Sequence, residues 1–148
     1  MNKTTKKREA FTLIELLLSI AIITIIFGLS VPFYQTFQVN SAFNTAISDI
    51  RQNLFRAQAR ARNCEEDSRW GLRIENNKIY IYKGEKFADR NKEFDEITTI
   101  PTTIAIGGTP DINFDKLNGI PNHPLKITVS STTNKTSTIS INSQGGID

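Results

Sequence analysis

The stretch that decides the fold is Phe11 to Phe33, FTLIELLLSIAIITIIFGLSVPF, preceded by the tract Lys6-Lys7-Arg8-Glu9-Ala10. These 23 residues carry one charge, Glu15. As a helix they extend roughly 34 Å at about 1.5 Å per residue, enough to cross a bilayer. The formal net charge of +3 lies entirely ahead of this run, in Lys3, Lys6, Lys7 and Arg8 set against Glu9. The remaining fourteen basic and fourteen acidic side chains balance. A sequence pI near 9.1 would ordinarily raise a nucleic-acid partner. Here the excess sits beside an apolar segment, where it acts as a topology signal that keeps the leader in the cytoplasm and sends the rest outside.

Three kinds of segment share this pattern: an ordinary signal peptide, a plain anchor, and a leader joined to an assembly helix. A signal peptide requires a small-residue cleavage pattern after its apolar core, and the residues there are Ser30, Val31, Pro32, Phe33 and Tyr34. A plain anchor gains nothing from Glu15, because a carboxylate in a spanning helix costs about 2.5 to 3.5 kcal/mol when central and less near the interface. A compensating partner is expected.

The run KKREAFTLIELLLSI resembles the leader of type IV prepilins: a short basic tract, a small residue, then Phe-Thr-Leu-Ile-Glu and an apolar helix. The resemblance implies cleavage between Ala10 and Phe11 by a prepilin peptidase, followed by N-methylation of Phe11. Ala10 departs from the glycine usual before the cut. The new α-amino group at Phe11 would lie one helical turn from Glu15, and in low dielectric the two charges need each other. In that family the glutamate is thought to meet the amine of a neighbouring subunit. The implied partners are other pilin or pseudopilin subunits, an inner-membrane assembly platform and the lipid bilayer. The implied location is the inner membrane, single-pass, with the head outside the cytoplasm, and then a filament.

Pro32 removes one backbone donor from a helical pattern and is expected to kink it. Beyond it, Phe43, Ala46, Ile47, Ile50, Leu54, Ala57 and Ala61 recur at steps of three and four, the mark of one buried face. Arg51, Arg56, Arg60 and Arg62 fall elsewhere on this helix, with Asp49 the only acid nearby in sequence and no aromatic read as interleaved. Arg56 and Arg60 are the candidate DNA contacts of an alternative reading, a DNA-binding minor pilin acting in uptake. A solvated or subunit-facing surface is preferred.

After Asn63 the texture changes to short alternating runs. Arg69–Glu75 and Lys78–Lys83 are joined by Asn76-Asn77, which suits a two-residue hairpin turn. Further strands are expected at 96–100, 103–106, 112–114, 125–130 and 138–142, with an exposed charged loop at 84–95. The expected organisation is α+β: leader 1–10, transmembrane and assembly helix 11–34, amphipathic stem 35–62, and an antiparallel β head 63–148. The helix ending RAQARAR, Trp70-Gly71, Phe114, Gly119 and the final Gly145-Gly146 resemble the GspH/FimT-like minor pilins and pseudopilins.

No catalytic constellation, cofactor or metal is expected. His123 lies in a turn-rich segment, and Cys64 has no second cysteine with which to form a disulfide within the chain. Asp111, Asn113 and Asp115 match the first half of a calcium loop, but Lys116 replaces the required glycine and the distal glutamate is missing. The expectation is a structural filament subunit.

Overall fold

The computed structural model describes residues 11–108 and 110–148, the side chains of 29–33 excepted. The leader and Ala10 lie outside the described residues. The chain divides into two compact units, Met1–Phe37 and Gln38–Asp148. One helix, α1 (Leu13–Arg62), contributes to both, and Pro32 lies inside it.

In the second unit α1 buries the face its periodicity predicts. Phe43, Ala46, Ile50, Leu54, Ala57 and Ala61 are buried, with Ile47 packed beside them. The helix ends where the backbone turns left-handed at Cys64 (φ 51°), followed by a 3-10 turn at Glu65–Asp67. Asn53 and Gln58 are also buried, so the face is wider than its apolar residues alone define.

Against this face lie two antiparallel sheets, giving the expected α+β architecture. The strands are β1 (Trp70–Glu75), β2 (Lys78–Lys83), β3 (Asn91–Thr99), β4 (Ile104–Ile106), β5 (Asp111–Phe114), β6 (Leu125–Ser131) and β7 (Thr136–Ile141). The orders are β3-β2-β1-β5 and β4-β6-β7. Glu75 pairs with Lys78 across the first hairpin, and Asn76 and Asn77 take φ of 52° and 57°, the doubly left-handed turn that matches strand twist. Leu72 on β1 faces Ile81 and Ile112 across its neighbours, while Ile127, Val129, Ile139 and Ile141 extend the core from the second sheet. Bridges from Phe114 to Pro121 and from Ile141 to Ile147 cover the outer edges of β5 and β7.

The other face of the first sheet is polar and aromatic. Tyr82 reaches across Gly71 to donate a hydrogen bond to Asp111 Oδ1 at 2.8 Å. A Cβ on Gly71 would lie 2.4 Å from the Tyr82 ring and 2.8 Å from the Ile112 carbonyl oxygen, so the glycine admits that crossing. Burial, then the hydrogen bond and charge of Asp111, push the Tyr82 phenol above its ordinary range.

The stretch 84–95 is mostly exposed, as its charge balance suggested, but it is not all loop. It contains a 3-10 turn, Phe87–Asp89, and the first half of β3. Phe87 packs edge-on against Tyr80 and Tyr82, and the Arg90 guanidinium lies 3.7 Å from the Phe87 ring centroid. Arg90 also pairs with Asp95 at 2.8 Å, and both side chains are largely buried. Paired charges and an aromatic anchor hold this segment on the sheet.

Candidate functional site

Glu15 belongs to the first turn of α1. Its backbone N–H donates to Thr12 Oγ1 at 3.3 Å, and that hydroxyl donates to Glu15 Oε2 at 3.4 Å. Thr12 therefore caps the helix, and Glu15 stands at the third helical position, where a carboxylate complements the helix dipole. Thr-x-x-Glu, at Thr12 and Glu15, is a capping signal that the sequence reading did not use. The helix begins at Leu13, and Phe11 and Thr12 precede it.

From Phe11 to Phe27 every large apolar side chain is at least half exposed. These side chains point outward on every side of the helix, and a helix that is apolar all round requires lipid or other helices. Its hydroxyls are compatible with such surroundings. Ser19 Oγ donates to the Glu15 carbonyl at 2.7 Å and Thr24 Oγ1 to the Ile20 carbonyl at 2.8 Å, so neither asks for water. Among the described residues no helix is long and apolar enough to cross a membrane. The span expected from the sequence runs to Phe33, past the last described apolar side chains before residue 29.

The arginines of the stem do not form one free stripe. Arg56 Nη1 pairs with Glu96 Oε2 at 2.8 Å, and Arg60 binds the other oxygen of the same carboxylate. Arg60 further approaches Glu65 at 3.6 Å and stacks over Trp70 at 4.6 Å. Arg62 Nε donates to the Asn118 carbonyl at 3.2 Å. Asp49 is thus not the acid that matters; Glu96, brought in by β3, is. Partial burial pushes the Glu96 carboxyl up, but the hydrogen bonds and charges of Arg56 and Arg60 outweigh it and hold the group below its ordinary value. Phe55, one turn beyond Arg51, is half exposed, which corrects the expectation that no aromatic joins the arginines.

Asp111, Asn113 and Asp115 have separate partners. Asp111 accepts from Tyr82 and pairs with Arg73, Asn113 is buried and donates to the Gly84 carbonyl at 2.7 Å, and Asp115 pairs with Arg69 at 3.0 Å. Among the described residues no group of three or more His, Cys, Asp or Glu is placed to hold a metal ion. His123 is exposed, and Cys64 is a free, half-buried thiol at the helix end.

Residues 5–31 match the family model described as the prokaryotic N-terminal methylation motif. No curated protein and no solved structure matches the chain. The match includes the leader tract, Phe11, Glu15 and most of the exposed apolar helix, and it supports a type IV pilin-like, structural subunit.

Proposed function

We propose that the chain is a structural subunit of a pilin-type filament. A prepilin peptidase cuts it between Ala10 and Phe11, Phe11 is N-methylated, and the subunit is held in the inner membrane by residues 11–33 before assembly. In this reading it is a minor pilin or pseudopilin of a type IV pilus, type II secretion or competence machine, of the GspH/FimT-like kind. The observation that carries it is the coincidence of the methylation motif with a helix whose large apolar side chains are exposed on all sides and whose single carboxylate stands in its first turn. Glu15 is already engaged by Thr12 through one oxygen, which leaves the other for the α-amino group of a neighbouring Phe11. A charge costly to the isolated helix then favours docking in one register. Pro32 supplies the point at which α1 bends on packing.

The test is Glu15→Leu in a host with the peptidase and the assembly platform. The expected result is a chain cut as efficiently as the unaltered one but absent from sheared filaments. Full incorporation of the leucine variant would remove the role assigned to Glu15. DNA contact through Arg56 and Arg60 stands second, because Glu96 already neutralises part of their charge.

A further inference from the structure

Three turns meet at one end of the Gln38–Asp148 unit. Ile100 N–H donates to the Asn77 carbonyl at 2.7 Å and Thr132 N–H to the Thr103 carbonyl at 3.3 Å. These bonds join the β1–β2 turn, the connection 100–103 and the β6–β7 turn. Pro101 and Thr103 share a mainly apolar groove with Gln38, Val39 and Ala42, so the turns lie where α1 enters the unit. Two of the turns lead into exposed lysines, Lys78 at the start of β2 and Lys135 just ahead of β7.

Neither lysine has an ion-pair partner among the described residues. Glu75, opposite Lys78 in the hairpin register, is held by Arg73 at 3.2 Å. No Asp or Glu occurs in 34–48, 76–78, 97–104 or 131–136, whereas Glu65, Glu66 and Asp67 follow the other end of α1. The end that carries Gln38 is therefore positive, and Thr102, Thr133 and Asn134 add exposed polar groups to it.

Chain connectivity selects the partner. The apolar run ends at Phe33, five residues before Gln38, and even a fully extended chain of that length spans at most about 18 Å. With residues 11–33 in a bilayer, the Gln38 end of the unit stays near the headgroups. One lysine close to an anionic surface contributes about a fivefold preference, and two contribute about thirtyfold. That is too little to capture a soluble partner, but ample for a surface to which the unit is already tethered.

We propose that this end of the unit rests on the phosphates of anionic lipids in the bilayer that holds its own helix, with Lys78 and Lys135 as the two contacts. The contact rests on the membrane-held stage of the filament reading.

The experiment reconstitutes the full chain in vesicles of phosphatidylcholine alone or mixed with phosphatidylglycerol. A membrane-impermeant amine-acylating reagent is added, and each lysine is read by peptide mass. Lys78 and Lys135 should acylate about fivefold more slowly in the anionic vesicles at low salt, the factor that one such lysine contributes. High salt should abolish the difference by screening. Lys86 and Lys92, exposed and away from these turns, should react alike in both. Equal acylation of Lys78 and Lys135 in the two vesicles would overturn the contact and leave the filament reading intact. Protection that persists in neutral detergent would also overturn it, because a second copy would then be the cover. A chain that fails to float with either vesicle would overturn the membrane-held stage and the contact together.

Discussion

Glu96 shows how one side chain ties a strand to a helix. It receives Arg56 and Arg60 from α1 on its two oxygens, and Arg60 is kept in place by Trp70 beneath it. The Glu96 side chain is 37% exposed, so solvent screens the pairing and its net contribution is about 1 kcal/mol. Its carboxyl is held below the ordinary 4.5 in the folded chain, so the stabilisation is complete above that value and is lost as pH falls through the lower folded value. Glu96→Gln should therefore cost about 1 kcal/mol in urea melts at pH 7, and the gap to the unaltered chain should close in acid. A gap that persists unchanged at low pH would show that packing, not charge, holds β3.

Among elements, the decisive link is the end of α1, where Gln58 joins two loops. Its amide donates to the Gly119 carbonyl at 2.9 Å and the Gly145 carbonyl at 2.8 Å, both buried. Gln58→Ala strands two acceptors and should cost about 2 kcal/mol, against less than about 0.5 kcal/mol for Gln52→Ala on the exposed face. Equal effects would deny Gln58 its role. This link was not legible in the sequence, because a glutamine between Ala57 and Ala59 reads as surface, and its partners lie 61 and 87 residues away. Glu96 was hidden from Arg56 in the same way, at a separation of 40. By contrast, the β1–β2 hairpin was legible because its alternation and Asn76-Asn77 are local, and the buried face of α1 was legible because helix geometry alone dictates it. The stretch 84–95 is exposed as expected over most of its length, but balanced charge hid the strand within it and the pairing of Arg90 with Asp95 over the sheet.

At the scale of the whole molecule the two units obey different requirements. Gln38–Asp148 closes its own core between α1 and two sheets, whereas the segment from Phe11 to Phe27 leaves its large apolar side chains exposed and must find its packing elsewhere. The methylation motif at the helix start was the more legible part, since basic tract, small residue, Phe11 and Glu15 lie in one short stretch of sequence. The head contacts depend on chain topology. The most direct measurement is the intact mass and N-terminal peptide of the full chain, purified from membranes of a host that has a prepilin peptidase. The account predicts a mature chain beginning at N-methylated Phe11. An uncut chain, or one cut after Ser30, would contradict it.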